Sequence, residues 1–483
     1  MLRSLVKDSA VYAVGTIASR LVGFIMIPVY TRVLTPADYG IIETIVRLVD
    51  IIGLFLALGL AEALLRHYYL AKDEEERRRL IGTVFNINLM VVILGSLFTL
   101  PASPYLARLA FGHERYTHYV IISLISMLVG NLIELPLTLW RAEGKAWRFT
   151  AVSLSKLFSQ LMLNIVLVVW LRWGVWGVVL SGLINASVWS LVLGVLVRLR
   201  YGGAFDMRWV KPVLRYGLPL VPASLSQFIL HFSDRFFLTR YATESELGLY
   251  SLAYRFGMLV SVFFGVLSRA WWPWVFRVAE EEEGTRHLRR GGALILLSGA
   301  AFCSAVILLS SPVIRVIASP TFWDASYYVT PIAIAYWFFI SSSSLRIGAL
   351  IAHRTSLFAI ANVVSAVLCL VLNAWLIPNY SAWGAAYATA TSFAVFAILV
   401  WFASQRVNPL PHDYGAIVLS FVVILVASWL DRHLRFALWI DLFARVWIWM
   451  GLGVVLLLFF AWNHKVRLPV LSTWCKREWT RGS

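Results

Sequence analysis

Long apolar runs alternate with short connectors that hold most of the charge, from one end of the chain to the other. A helix of about 20 apolar residues crosses a bilayer, and lipid leaves backbone N–H and C=O groups no partners except those inside the helix. Fourteen runs approach or exceed that length: residues 9–33, 39–70, 80–101, 117–140, 147–171, 174–198, 213–240, 247–277, 291–318, 327–352, 355–377, 382–404, 414–430 and 438–462. The second and eighth exceed what a span requires and are expected to tilt or to continue into water. Pro219 and Pro222 sit early in the seventh run and predict a break there. The first run is too long for a signal-peptide core and no small-residue cleavage site follows it, so it is expected to remain as the first span.

Composition agrees with the pattern. The chain has 483 residues, of which 60% are hydrophobic and only 14% charged, against about 25% charged in a soluble domain. No soluble interior of this size could hold so much apolar side chain, so the fold class expected is an all-α integral membrane protein with about fourteen transmembrane helices. Trp170, Trp173, Trp176, Trp271, Trp272 and Trp274 lie near run ends, where amphipathic rings favour the headgroup level. The connectors are short; the longest on the outer side, about residues 102–117, is too small to fold by itself. There is no Gly-rich nucleotide loop and no metal-ligand spacing, and Cys303, Cys369 and Cys475 show no pairing pattern. No catalytic residue, metal or cofactor is therefore expected.

The formal charge of +17 is explained by topology. With the N-terminus in the cytoplasm, the cytoplasmic connectors carry roughly three times as many Lys and Arg as the opposite ones, which orients the spans and places both termini in the cytoplasm. The excess also suits an anionic leaflet of membrane lipids and needs no nucleic acid.

An internal repeat organises the chain. A shift of 208 residues lays Thr31-Arg32 on Thr239-Arg240, Thr35 on Thr243, Asp38 on Glu246, Gly40 on Gly248 and Arg47 on Arg255. The acidic-basic connector recurs as well, with Asp73, Glu74, Glu75 and Arg78 falling on Glu281, Glu282, Glu283 and Arg286, and Trp176-Gly177 returns at Trp383-Gly384. Two pseudo-symmetric six-helix lobes follow, residues 1–207 and 208–405, related by an axis along the membrane normal. Residues 406–463 add a pair of helices outside the repeat, and 464–483 form a cytoplasmic tail. Parallel repeats of this kind commonly enclose a midplane cavity and rock against each other.

Charges within the spans mark candidate sites, because an ionised side chain at the bilayer centre costs roughly 3 kcal/mol or more unless it meets water or a partner. Arg20 is central in the first span. Glu43, Arg47 and Asp50 share one helix face through spacings of four and three, as do Glu62 and Arg66, which are expected to pair. Asp234 and Arg235 lie late in the seventh span, Arg255 and Arg269 in the eighth. Basic groups predominate, which points to an anionic ligand held by Arg20, Arg47, Arg255, Arg269 and Arg235. Glu43, Asp50 and Asp234 are the candidates for proton or sodium coupling. The structural alternative is that these charges only pair with one another and set helix register.

The opening stretch SAVYAVGTIASRLVGFIMIPVYTRVLTPADYGIIETIVRLVDII and the mid-chain stretch YGLPLVPASLSQFILHFSDRFFLTRYATESELGLYSLAYRF resemble Wzx-type polysaccharide flippases of the multidrug/oligosaccharidyl-lipid/polysaccharide exporter superfamily. The resemblance covers most of the chain and rests on patterns of small, apolar and charged residues rather than on a catalytic signature. It implies a V-shaped, two-lobed bundle like that of multidrug exporters of this superfamily. It also implies turnover of an undecaprenyl-diphosphate-linked oligosaccharide across the cytoplasmic (inner) membrane by alternating access, with polysaccharide polymerase machinery as a further partner. A lipid II flippase is the nearest alternative, with Arg20 as its counterpart arginine, although the TPADYG segment at residues 35–40 fits the polysaccharide branch better. A drug/cation antiporter of the same superfamily would favour an acidic cavity and twelve spans. A membrane-bound polymerase or glycosyltransferase would need a larger outer loop.

The topology is open to direct test. Reporter fusions at Lys72 and Gly284 are expected to read as cytoplasmic, and fusions at Gly112 and Asn379 as external; an external signal at Gly284 would overturn the orientation.

Overall fold

The computed structural model describes residues 26–434 and 437–464, and all the elements assigned in them are helical. The end of the first run is a short helix, α1 (residues 26–33). It is followed by α2 (Pro36–Ala57), α3 (Leu60–Leu70), α4 (Glu74–Thr99), α5 (Ser103–Phe111), α6 (Thr117–Ala142), α7 (Ala146–Asn164), α8 (Gly174–Tyr201) and α9 (Met207–Gly217). Then come α10 (Leu220–Tyr241), α11 (Glu244–Gly257), α12 (Leu259–Val278), α13 (Gly284–Ile317), α14 (Ser326–Leu345), α15 (Ile347–Ile351), α16 (Thr355–Val407), α17 (Tyr414–His433) and α18 (Leu438–His464).

Among the described residues, twelve helical stretches are long and apolar enough to cross a membrane. The expected count of about fourteen accommodates this. The first span lies mostly outside the described residues, and α16 is two spans joined at Ser381, where φ is 48° and ψ is −128°. The remaining differences sit at element ends. The ninth span begins at Gly284 and includes Arg286, Arg289 and Arg290, which the hydropathy pattern left in the connector. The basic side chains there interrupt the apolar run but not the backbone ladder.

The expected break in the seventh run is present: α9 ends at Gly217 and α10 begins after Pro219. The second run is also broken, at a left-handed pair, Leu58 (φ 48°) and Gly59 (φ 62°). Both breaks come together, because a side chain on Gly59 or on Gly217 would strike the other segment's backbone. Helix α2 itself starts with a reciprocal cap. Thr35 Oγ1 accepts from the Asp38 amide at 3.1 Å, and Asp38 accepts from the Thr35 amide at 2.9 Å.

The repeat is legible in the helices. The stretches Pro36–Leu70 and Glu244–Val278 are each 35 residues long, and they begin and end 208 positions apart. The recurring Trp-Gly pair has a packing cause: a Cβ on Gly177 would lie 2.9 Å from the Leu167 carbonyl oxygen, and one on Gly384 would crowd that of Leu376. In each case the glycine lets a span start against the end of the one before it.

Contacts divide the chain after Ser251 into two compact units, Met1–Ser251 and Leu252–Ser483. The repeat boundary read from the sequence, at 207/208, and this packing boundary are different properties, since α10 packs on α2 within the first unit. Gly40 and Gly248 explain the fit. A Cβ on Gly40 would fall inside van der Waals distance of the Glu244 carbonyl oxygen, and one on Gly248 inside that of Pro36. Pro36 and Glu244 correspond under the 208-residue shift, as do the glycines, so the contact is self-reciprocal, as around a two-fold axis. Close backbone approach through small residues is a main means by which helices associate in lipid. Tyr116 Oη adds a 2.8 Å bond to Glu244 Oε1 beside it.

In the second unit α13 is the central helix, packed by α12, α14, α17 and α18. Arg445 of α18, 2% exposed, fastens the C-terminal pair to it. It donates to Asp441 at 2.8 Å, to the Leu308 carbonyl at 3.0 Å, to the Leu434 carbonyl at 2.9 Å, and to Asp431.

Gly40→Ala and Gly248→Ala are each expected to lower the stability of the purified protein by about 1–3 kcal/mol, the usual cost of overpacking. Gly53→Ala, whose added Cβ meets only the flexible Met127 side chain at 3.4 Å or beyond, should be near neutral. Thermal unfolding in detergent reads the difference, and equal melting temperatures for all three variants would refute the glycine contact.

Candidate substrate-handling sites

Helices α2 and α10 bring five charges into one chain of ion pairs within the first unit. Arg47 Nε lies 2.9 Å from Glu43 Oε1, and Arg47 Nη1 lies 2.7 Å from Asp50 Oδ2. Arg235 Nη1 lies 2.7 Å from Asp234 Oδ1, while Arg235 Nε lies 3.7 Å from Glu43 Oε1. Tyr250 donates to Asp234 Oδ2 at 2.5 Å. Phe232 sits between the two arginines, its ring centre 4.2 Å from the Arg47 guanidinium carbon and 5.3 Å from that of Arg235. The spacing of α2 places Glu43, Arg47 and Asp50 on one face, and α10 presents Asp234 and Arg235 to that face. Three carboxylates and two guanidiniums meet here.

The network grades from closed to open. Arg235 is 1% exposed and Glu43 is 4% exposed. Asp50 retains a 45% exposed side chain and faces a cavity of about 240 Å³ lined by α2, α6 and α8, including Ser126 and Gly182. Of the expected anion-binding arginines, Arg235 is thus enclosed and Arg47 is held by two carboxylates, so neither presents a free fork in this conformation. Asp50 is the member that a proton or cation can reach without unpacking.

Other expected residues lie elsewhere. Arg20 falls outside the described residues. Arg255, on α11, is half-buried, and Arg269, on α12, is exposed. In the second unit Arg346 is wedged between the rings of Trp272 and Phe358, at 4.6 and 4.5 Å, and its buried Nε has no hydrogen-bond partner among the described residues. Glu62 and Arg66 do not form the expected pair. Arg66 lies over the Tyr216 ring at 4.6 Å instead, because α9 offers an aromatic face beside it.

Several contributors went unseen in the sequence. Tyr250 and Phe232 carry no charge and read as ordinary apolar positions. Arg208, Lys211 and Arg215 belong to a cytoplasmic connector by charge pattern, yet their spacing of three and four places them on one face of α9. There Asp206 accepts from the Arg208 side chain at 2.7 and 3.1 Å, and this guanidinium holds the Asp206 carboxyl down at about 2.

The comparisons with known proteins extend this reading. Residues 5–279 match the model of the family described as polysaccharide biosynthesis protein. The succinoglycan biosynthesis transport protein ExoT of Rhizobium meliloti is 22% identical over 50% of this chain and 49% of its own length. Among solved structures, the lipid II flippase MurJ in an inward closed conformation is similar with a TM-score of 0.76 and 15% identity, over 94% of this chain and 99% of that one. An inward-facing MATE family multidrug resistance transporter of the MOP superfamily gives 0.65 and 17% identity, over 80% and 94%.

Arg235→Gln is expected to cost about 3–5 kcal/mol of stability, since it takes from the buried Asp234 carboxylate its guanidinium partner. Asp50→Asn should cost about 1 kcal/mol or less, as for other exposed pairs. Unfolding of both purified variants would show the contrast, and an Arg235→Gln protein as stable as the parent would mean that the buried pair is dispensable.

With its long apolar helices, its MATE- and MurJ-like fold and a family match over more than half its length, this multi-pass membrane protein belongs to the polysaccharide biosynthesis protein family.

Proposed function

We propose that the chain is a flippase rather than an enzyme, and that it carries an undecaprenyl-diphosphate-linked oligosaccharide across the cytoplasmic membrane by alternating access. The observation that carries this reading is the match to the polysaccharide biosynthesis family together with a likeness to a lipid II flippase along nearly the whole chain. The physical task fits the residues. The isoprenoid tail can remain in lipid, whereas the diphosphate and sugars need a polar route with cations. Arginine suits phosphate oxygens because its planar fork donates two bonds at once.

In this reading Arg20, Arg255 and Arg269 are the cations that meet the diphosphate. Arg47 and Arg235 belong to the carboxylate network on α2 and α10, and reach the substrate only if that network opens. Asp50 is the coupling site for a proton or sodium ion, with Glu43 and Asp234 behind it. Neutralising Asp50 would loosen its hold on Arg47, which ties the coupling ion to the availability of a phosphate ligand. A polysaccharide polymerase on the far side would draw the product onward.

Purified protein in vesicles with a labelled undecaprenyl-diphosphate oligosaccharide tests this directly. Leaflet exchange is expected for the parent. Gln at Arg20 or Arg255 should reduce it at least tenfold at equal protein level, and Lys should retain part of it. Parental exchange by both Gln variants would make these arginines structural. Exchange of lipid II but not of the oligosaccharide carrier would reassign the cargo.

A further inference from the structure

A second basic site lies outside the network on α2 and α10. Between α3 and α9 is an open cavity of about 690 Å³, lined by Arg66, His67, Met207, Arg208, Lys211, Pro212, Arg215 and Tyr216. Four of these side chains are cationic and none is a carboxylate. Asp206 already occupies Arg208. Arg66, Lys211 and Arg215 have no ion-pair partner among the described residues, so three like charges converge on one opening. Like charges in one cavity repel unless an anion or water screens them.

The walls are built to keep them there. Helix α9 buries Val213 and Gly217 against α3 and α4, which turns Lys211 and Arg215 to the open side. Arg66 is held from across the gap by the Tyr216 ring. His67 is fixed by a 2.8 Å contact from Nδ1 to the Ala63 carbonyl, and its ring stands edge-on to Trp209 and Tyr216.

The surroundings indicate a ligand that comes from lipid. Phe205, Met207 and Leu218, at or beside the two ends of α9, are 53, 73 and 47% exposed, and Met207 is itself part of the cavity wall. Apolar residues next to a basic face are the arrangement of a helix lying at the headgroup level. A soluble anion would have no use for that rim.

We propose that this cavity is a binding site for the phosphate headgroup of a lipid, with Arg66, Lys211 and Arg215 as its ligands. The site takes a phosphate ester or diphosphate anchored by an acyl or isoprenoid chain, and the chain lies against the apolar rim. It is separate from the α2–α10 network, and the proposal stands whether or not the chain is a flippase, because its readout is binding.

The test uses the full-length protein in nanodiscs of phosphatidylcholine, titrated with labelled farnesyl diphosphate and, in a second arm, with labelled phosphatidylglycerol. Binding of either is expected to weaken at least tenfold in the triple variant Arg66→Gln/Lys211→Gln/Arg215→Gln, and less than threefold in Arg208→Gln. The charge-preserving variant Arg66→Lys/Lys211→Arg/Arg215→Lys should bind within a few-fold of the parent, which controls for folding. A preference for the diphosphate would identify an isoprenoid carrier as the source, and equal binding of phosphatidylglycerol an ordinary bilayer lipid. Binding of neither, or binding that the triple Gln variant leaves unchanged, overturns the proposal.

Discussion

Lipid supplies no hydrogen bonds and almost no screening, and this constraint governs the chain at every scale. Backbone groups can be satisfied only within helices, so the apolar runs become helices and breaks occur where another segment covers them. The left-handed turn at Leu58 and Gly59 lies against Gly217, at the point where the seventh run is itself broken. Two interruptions shield each other's backbone where a lone one would leave polar groups facing hydrocarbon.

The same constraint disposes of the charges. An isolated guanidinium at membrane depth is costly, and three arginines show three answers. Arg235 is enclosed by carboxylates, Arg445 by carboxylates and carbonyls, and Arg346 by two aromatic faces. These solutions are not equivalent for function. A guanidinium held by carboxylates binds a phosphate only after losing a partner, whereas one held by rings keeps donors free. The network on α2 and α10 therefore resembles a lock whose exposed member is Asp50, and the basic cluster of Arg66, Lys211 and Arg215 lies outside it.

Small residues and charges cooperate in the first unit. The Gly40–Gly248 contact brings the start of α2 onto the start of α11, and one to two turns further along α2 lie Glu43 and Arg47. Arg235 and Asp234 can reach Glu43 and Tyr250 only because α2, α10 and α11 approach so closely. Loss of that approach would separate charges that are tolerable only as a group, so the packing and the electrostatics stabilise the same arrangement.

The sequence by itself determined the helical membrane class, the approximate number of spans, the break ahead of α10 and the 208-residue repeat, because hydropathy, proline and residue spacing act locally along the chain. It also determined that Glu43, Arg47 and Asp50 share a face, since helix geometry requires it. Which of those charges would be closed off was decided only by the tertiary structure. Arg235 and Arg47 look alike as isolated arginines, yet one is sealed by α2 and the other stays partly open, because burial depends on which helix packs opposite. Arg66 likewise left its expected partner, Glu62, for Tyr216, a residue 150 positions away in sequence and adjacent only once α9 has folded onto α3. The convergence of Arg66, Lys211 and Arg215 on one cavity has the same origin: each charge is legible in the sequence, but their common opening exists only where two distant helices meet.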